Sequence, residues 1–276
     1  MGTLVLFAHR REVAGLRALA EPCKGRMTVH VVPVRSIHQH SKYVRSIIKR
    51  ITDWLPVDNR PTWKRRFLKF AGRPHVARYM HCQDYLARNT QYTHILLTDV
   101  RDVVFQSMPF AGLGAGLHVS METPEITLGS EPFNRSWLLD AYGDVMLRHL
   151  EFNHVSCSGV TLGDRQSIDA YLTRMISEFM DQPYRKMRTR IYDQAMHNKL
   201  LHHNELGVCV RCKPLSSLIA TVGCLQADAF EFSSDGKLLG EDGIPAAIVH
   251  QYDRHPLLID SLAGLVLASD TQPSAA

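Results

Sequence analysis

The feature that most constrains the fold is a short apolar run that ends abruptly in charge. His94-Ile-Leu-Leu-Thr98 holds three consecutive aliphatic residues and is followed at once by Asp99 and Asp102. A short, continuous apolar run is typical of a strand buried on both faces. In an open α/β sheet, ligands bind outside the carboxyl ends of the strands. We therefore expect both aspartates to project into a ligand-binding crevice.

The order of the other predicted elements indicates an α/β fold. Strands are predicted at 3–8, 94–98, 103–105, 218–221, 229–232 and 247–249, and helices at 74–89, 136–150, 166–180 and 193–202. Alternating strands and helices in the first half predict a Rossmann-like, mostly parallel sheet with helices on both faces. No linker rich in Gly, Pro or Ser divides the chain. We expect one domain over residues 1–276, with a polar tail from about residue 269.

Composition favours an ordinary globular protein. Apolar residues make up 45% of the chain and charged residues 21%. No apolar stretch has the length of a membrane span, and the first apolar run lacks the preceding basic residues of a signal peptide. A cytoplasmic protein with six free thiols is therefore expected. Cys209 and Cys212 form a single CxxC pair without a second one, so a zinc site is not favoured.

Positive charge is concentrated between Lys42 and Arg73. This segment carries ten basic residues against two aspartates, a net charge of about +8. Ile47, Ile48, Ile51 and Leu55 also share one face of a predicted helix. Such a stretch can lie peripherally on an anionic membrane or grip phosphates. The alternative, which we favour from sequence, is a surface helix whose apolar face joins the core. Nucleic-acid binding is not expected, because no nucleic-acid motif accompanies the charge.

The acidic pair itself suggests a cation site. Two carboxylates three residues apart can converge on Mg²⁺ or Mn²⁺, which prefer oxygen ligands and are commonly shared with phosphates. One carboxylate could instead bind a ribose hydroxyl. In the structural alternative, Asp99 caps a turn and Asp102 pairs with an arginine such as Arg101.

The stretch Tyr92–Gln106 resembles the aspartate motif of GT-A glycosyltransferases. In that motif an apolar strand ends in Asp-x-Asp and a second apolar strand follows. The spacing here is Asp-x-x-Asp, which leaves open the division of roles between the two aspartates. Asp102 is the better candidate for direct metal binding, and Asp99 for the metal or for the donor's ribose or sugar.

Three later segments follow in the order that this resemblance implies. Cys157-Ser-Gly-Val-Thr-Leu-Gly163, predicted as a small-residue turn, is similar to the segment lining the sugar and acceptor site of retaining GT-A enzymes, which implicates Ser158 and Gly159. Asp193-Gln194 resembles the Asp-Gln motif of glycogenin-like and bacterial galactosyltransferase-like families, where the pair contacts the donor sugar. His250 matches the late histidine that completes the metal shell, with Asp253 and His255 as substitutes.

The resemblance implies a metal-dependent, hexosyltransferase-like enzyme. It would move a sugar from a nucleoside-diphosphate sugar, a UDP-sugar by first expectation, to a hydroxyl of a glycan or lipid-linked acceptor in bacterial surface polysaccharide synthesis. Ala8, Arg78 and Arg254 are the further candidates for donor binding. Retention is favoured over inversion. The inverting alternative needs a base from the loop that holds Glu122, Glu125 and Glu131, and Glu125 is its candidate.

Two other functions remain open from sequence. A sugar-phosphate nucleotidyltransferase usually carries a Gly-rich, basic loop after its first strand, but Ala8–Gly15 contains one glycine. A non-catalytic sugar- or phosphate-binding protein would not need both aspartates.

Overall fold

The computed structural model describes residues 2–21 and 27–269, with the backbone alone for residues 263–269. Cys23 and residues 270–276 of the predicted polar tail lie outside this described part. The strands are β1 (Thr3–His9), β2 (Thr28–Val34), β3 (His94–Thr98), β4 (Val103–Phe105), β5 (Leu117–Met121), β6 (Ser156–Asp164), β7 (Cys209–Cys212), β8 (Ile219–Thr221) and β9 (Ile248–His250). The helices are α1 (Val13–Ala20), α2 (Lys42–Trp54), α3 (Pro61–Ala71), α4 (Pro74–Leu86), α5 (Pro132–Leu150), α6 (Arg165–Asp181), α7 (Tyr184–Thr189), α8 (Asp193–His202) and α9 (Pro256–Ser269).

The chain forms two compact units, which we describe separately. The first comprises Met1–Thr90 and Met175–Tyr192, and the second comprises Gln91–Arg174 and Asp193–Ala276. The single domain expected over residues 1–276 stays a prediction. In the part of the chain that the structure describes, no helix is both long and apolar enough to cross a bilayer.

In the first unit, β1 and β2 pair in parallel from Thr3↔Thr28 to His9↔Val34. The rings of Tyr79 on α4 and Phe179 on α6 pack with centroids 5.4 Å apart, and both side chains are buried. Lys64 on α3 is also buried, where its ammonium donates to the Met180 carbonyl at 2.7 Å and pairs with Asp58. Apolar packing and satisfied buried charge together hold the helices of this unit.

The second unit is built on a four-stranded sheet in the order β3-β6-β5-β7. Strand β6 is antiparallel to both β3 and β5, whereas β5 and β7 are parallel. A second sheet, in the order β4-β9-β8, contains one antiparallel and one parallel pair. The prediction of a mixed α/β fold is confirmed.

The mostly parallel sheet that we expected is not what the described strands form, since three of their six pairings are antiparallel. The reason lies in the connection from β5 to β6. Glu122 donates its N–H to the Val155 carbonyl, and Gly129 donates its N–H to the Glu151 carbonyl, so the connection leaves and re-enters the sheet at the same end of its strands. A strand that enters the sheet at the end where its neighbour left must run antiparallel to that neighbour.

Most predicted helices are confirmed, with small changes at their ends. Helix α5 begins at Pro132, four residues before the prediction, because the Glu131 carboxylate accepts from the N–H groups of Phe133 and Asn134. Two predictions for short segments were wrong. Residues 229–232 do not form a strand, and Cys157–Gly163 is not a turn but the interior of the buried strand β6. Its small residues are there because neighbouring groups pack closely against the strand.

Helix α8 is locked onto β6 by a buried polar network. The Asn198 carboxamide accepts from the Ser156 N–H and donates to the Ser156 and Gln194 carbonyls, each at 2.8 Å. One residue earlier in sequence, the His197 imidazole lies 2.9 Å from the Ser156 hydroxyl and 2.9 Å from the Tyr171 hydroxyl. This network fixes the start of α8, and so Asp193 and Gln194, relative to the amino end of β6.

We predict that Asn198→Ala lowers the free energy of unfolding by about 2–4 kcal/mol, because it leaves buried backbone groups of Ser156 without partners. Chemical denaturation measures this change. Gln226→Ala is the matched control, since Gln226 is exposed and its side chain caps no helix. Equal stability of the Asn198 variant and the wild type would contradict the proposed lock.

Candidate functional site

Two neighbouring aspartates and a histidine that is distant in sequence converge in the second unit. Asp99 and Asp102 lie in the turn between β3 and β4, and His250 is the last residue of β9. Their ligand atoms all lie within 4.8 Å of one another. Among the residues that the structure describes, this is the group suited to hold a metal ion, and it matches the predicted set.

Backbone hydrogen bonds hold the acidic turn in place from both sides. Asp99 donates its N–H to the Gly159 carbonyl at 2.9 Å, which ties the turn to β6. Gln251 donates its N–H to the Asp102 carbonyl at 2.7 Å, which ties the turn to the end of β9. The pairing of Val103 with His250 extends the same ladder. The carboxylates are therefore presented by ordered backbone rather than by a free loop.

The His250 ring is buried and oriented by hydroxyl groups. Its Nδ1 lies 3.4 Å from Thr221 Oγ1, and the Thr221 hydroxyl also bonds to the Ser120 hydroxyl on β5. Its Nε2 faces Asp102 Oδ2 at 3.6 Å. A histidine ligand is commonly held by a polar group at its other nitrogen. This arrangement aims Nε2 at the carboxylates.

Gly159 on β6 lets these groups pack directly against the strand backbone. A Cβ at this position would lie 2.6 Å from His250 Nε2 and 2.9 Å from Asp99 Oδ2. No real side chain could fit there without moving a ligand atom or the strand. The glycine therefore allows an imidazole nitrogen and a carboxylate oxygen to approach β6 closely.

The spacing of these atoms fits a small divalent cation. The 3.6 Å between His250 Nε2 and Asp102 Oδ2 exceeds a hydrogen bond. Ligands about 2.1 Å from an octahedral ion are about 3 Å apart when adjacent and about 4 Å when opposite. Two carboxylates and one imidazole suit Mn²⁺ better than Mg²⁺, because Mg²⁺ favours oxygen alone. Whether Mn²⁺ or Mg²⁺ binds stays a prediction.

The residue after His250 is conformationally unusual. Gln251 has φ of 62°, a left-handed conformation that is uncommon outside glycine. Its side chain is 6% exposed, its Nε2 lies 3.7 Å from the Cys157 sulfur, and its Oε1 has no hydrogen-bond partner in the described residues. A buried acceptor of this kind calls for an explanation, and a ligand hydroxyl would provide one.

Arg254 approaches the same region. A Cβ on Gly223 would lie 2.8 Å from the Arg254 guanidinium and 2.2 Å from Gln251 Oε1, so both side chains lie against that glycine. The residue is exposed. An exposed guanidinium near Gln251, the residue after His250, can bind a phosphate in bidentate fashion.

Glu122 is a functional candidate that sequence analysis ranked too low. It is buried, and its carboxylate accepts from the Gln194 amide at 3.4 Å and from the Cys224 thiol at 3.7 Å. Burial raises the pKa of the Glu122 carboxyl above its usual range, partly opposed by the Cys224 hydrogen bond and by Arg254. One signal was available, since Glu122 directly follows a strand just as Asp99 does.

The other predicted site residues fall in several places. Gln194 meets Glu122 and also donates to Asn134 at 3.2 Å, while Asp193 is buried in the first turn of α8. Ser158 is buried in β6 beside Gly159. Glu125, our candidate base, is exposed and accepts a bond from the Thr123 hydroxyl. The structure thus groups Gln194 with Glu122 and not with Glu125.

Ala8 and Arg78 belong to the first unit. Ala8 is buried in β1. The Arg78 guanidinium lies over the Tyr79 ring, 5.0 Å from its centroid. Their donor-binding roles stay predictions.

Cys209 and Cys212 lie on β7 in the second unit, and neither is a member of the metal-ligand group described above. Burial raises the pKa of each thiol to about 11, which favours the neutral form over the thiolate that metals bind.

We predict that Mn²⁺ raises the melting temperature by about 5 °C at saturating concentration, because a ligand that binds only the folded state stabilises it. Asp102→Asn should remove this shift. Gly159→Ala should also remove it while keeping all three ligands, and Asp228→Asn, at an exposed acid, should not. Differential scanning fluorimetry with and without chelator measures the shift. An undiminished shift in Asp102→Asn would contradict the site.

No protein-family model matches the sequence, and no curated protein matches it significantly.

Proposed function

We propose that this protein is a metal-dependent glycosyltransferase of the GT-A type. It would transfer a hexosyl group from a nucleoside diphosphate to an acceptor hydroxyl. The observation that carries the proposal is the convergence of Asp99, Asp102 and His250, two of which pack closely against Gly159 of β6. These residues come from segments that, in order, resemble the motifs of that family.

Asp102 and His250 are the proposed direct ligands of Mn²⁺ or Mg²⁺, and Asp99 binds either the cation or a hydroxyl of the donor. When bound, the cation neutralises charge on the diphosphate. Arg254, exposed near Gln251, supplies a second positive charge to the phosphates. Stabilising the leaving group electrostatically is the main catalytic contribution that these residues offer.

The donor sugar is proposed to lie between β6 and the start of α8. Gly159 lets the His250 and Asp99 side chains lie close to the β6 backbone, and Gln194 presents an amide from the first turn of α8. Gln251 Oε1, a buried acceptor, is suited to a sugar hydroxyl. The Asn198 lock matters here, because a shift of about 1 Å in a positioning group can cost about a hundredfold in rate.

An acceptor site is suggested by a cavity in the second unit. Its volume is about 410 Å³, and Glu122 is part of its wall. The remaining lining is mixed in character and includes Arg211, Lys213, His154 and Leu215. A cavity with apolar, cationic and anionic walls suits a glycan or a lipid-linked sugar phosphate. The cavity opens beside the Glu122 carboxylate, which the reaction could use.

Bond changes are the same for either stereochemical course. The acceptor oxygen bonds to C1 of the sugar while the bond from C1 to the diphosphate oxygen breaks. With retention, which we favour from the resemblance, the acceptor proton passes to the departing diphosphate and Glu122 orients a hydroxyl. With inversion, Glu122 takes that proton as general base, a role that its raised pKa suits. We further propose that the enzyme acts at the cytoplasmic face of a membrane in bacterial surface glycan synthesis.

A nucleotide screen tests the donor class. We expect UDP to raise the melting temperature by about 5 °C or more in the presence of Mn²⁺ and not in chelator. The responding nucleotide then defines the sugar donors for turnover assays. Asp102→Asn should abolish donor hydrolysis, and Asp228→Asn should not. Metal-independent turnover, or turnover retained in Asp102→Asn, would contradict the proposal.

The two loop glutamates can be compared directly. Glu122→Gln should lower kcat by about 10²-fold or more, because it removes the carboxylate while preserving its shape. Glu125→Gln, at the exposed position on the wall of the same cavity, should lower kcat much less than Glu122→Gln. The Mn²⁺-induced melting shift should persist in both variants. An unchanged kcat in Glu122→Gln would remove this residue from the mechanism. NMR analysis of the product anomer distinguishes retention from inversion.

A further inference from the structure

Helix α2 exposes its apolar face to solvent. Tyr43, Val44, Ile47, Ile51 and Trp54 lie within about 100° of the helix circumference, and all five side chains are exposed. Trp54 is 89% exposed and Ile51 is 56% exposed. A surface helix of a globular protein normally turns such a stripe inward. From the sequence we expected the apolar face of α2 to join the core, but the structure turns that face to solvent.

The opposite side of α2 is held to the first unit by polar contacts. The guanidinium of Arg188 on α7 is buried, and it donates to the Lys49 carbonyl and the Thr52 hydroxyl, each at 3.2 Å. It also pairs with the Asp53 carboxylate at 3.0 Å. Thr52 is the one side chain of α2 that is buried. Hydrogen bonds and charge therefore fix the helix and leave its apolar stripe outward.

Exposed positive charge borders the apolar stripe. Arg50 lies one turn from both Ile47 and Trp54, and Lys42 precedes Tyr43 at the start of the helix. Both are exposed, and neither has a carboxylate within ion-pair distance in the described chain. The two carboxylates of the basic segment are already engaged, Asp53 with Arg188 and Asp58 with Lys64. The bordering charge is therefore available to an external anion.

Helix α3 and the residue before it carry further positive charge and aromatic side chains. Arg60 lies over the Trp63 ring at 5.7 Å, and Arg66 and Trp63 border an open apolar groove with Phe67 and Phe70. An aromatic side chain beside a cation is typical of positions at a membrane interface.

We propose that α2 is an interfacial helix that lies on an anionic lipid bilayer, with its apolar stripe inserted at the level of the headgroups. The stripe supplies apolar surface and the flanking Lys42 and Arg50 supply attraction to acidic lipids, the combination by which amphipathic helices bind membranes. This proposal does not depend on the glycosyltransferase assignment, because it concerns only α2 and its borders in the first unit.

Vesicle co-sedimentation of the full chain tests this proposal. We expect binding to vesicles of phosphatidylcholine with phosphatidylserine, and weaker binding to phosphatidylcholine alone. Raising NaCl from about 0.1 M to about 0.5 M should release the protein from the acidic vesicles, because salt screens exposed charge. Equal binding to both kinds of vesicle, or no binding to either, would overturn the proposal.

Variants separate the apolar from the electrostatic contribution. Ile51→Ser with Trp54→Ser should lower partitioning to acidic vesicles about tenfold or more, because both side chains lose apolar area. Phe152→Ser with Val208→Ser is the matched control in the second unit, since these side chains are 84% and 73% exposed. Lys42→Gln with Arg50→Gln should lower binding to acidic vesicles about tenfold. Arg135→Gln with Arg174→Gln, at exposed arginines, controls for net charge.

Fluorescence locates the contact on the helix. The exposed Trp54 should shift its emission to shorter wavelength when vesicles are added. Trp54→Phe should still bind but lose the larger part of the shift, because Trp54 is 89% exposed against 47% for Trp63. Sedimentation velocity without lipid tests the competing occupant, a second copy of the chain. A dimer that the Ile51 and Trp54 substitutions dissociate would overturn the membrane assignment.

Discussion

The double pairing of β6 is the constraint on which the candidate site depends. This buried strand is hydrogen-bonded to β3 on one side and to β5 on the other, and both neighbours run opposite to it. The carboxyl ends of β3 and β5 consequently meet at the amino end of β6. Asp99, Glu122 and Gly159 gather there although they are separated by tens of residues. We did not expect this antiparallel strand, and its pairing brings the acidic residues that follow β3 and β5 to the same end of the sheet.

Burial of polar groups at this end of the sheet costs solvation free energy. Neighbouring hydrogen-bond partners offset this cost for some of the groups more than for others. His250 is oriented by Thr221, and Gln194 and Cys224 donate to Glu122. The desolvation of Glu122 still prevails over these bonds and raises its pKa. Gln251 combines a left-handed backbone with a buried acceptor that has no hydrogen-bond partner among the residues that the structure describes. Strain and unsatisfied groups of this kind concentrate where a protein binds a ligand.

In the first unit, polar contacts rather than burial of an apolar face hold helix α2. This helix is fixed by a buried arginine that binds a carbonyl, a hydroxyl and a carboxylate, while aromatic and aliphatic side chains face outward. Exposed apolar surface of this kind is explained by a partner rather than by the fold. A catalytic domain that acts on a lipid-linked acceptor would gain from such a surface, because the acceptor would be concentrated at the same membrane. The two proposals are compatible, yet each has its own test.

The sequence alone determined the mixed α/β class, the helix starting at Asp193 and the acidic turn after a strand, because apolar periodicity and abrupt charge are local signals. The expectation that this strand is buried on both faces was wrong, since Ile95 is the one buried residue of β3. The sequence also predicted that Asp99, Asp102 and His250 belong to one site, and the structure brings these three residues together. Only the tertiary structure decided that β6 is an antiparallel strand, that Glu122 rather than Glu125 is buried beside Gln194, and that α2 faces outward. Strand direction and side-chain burial depend on partners that are distant in the chain, so no local pattern could specify them.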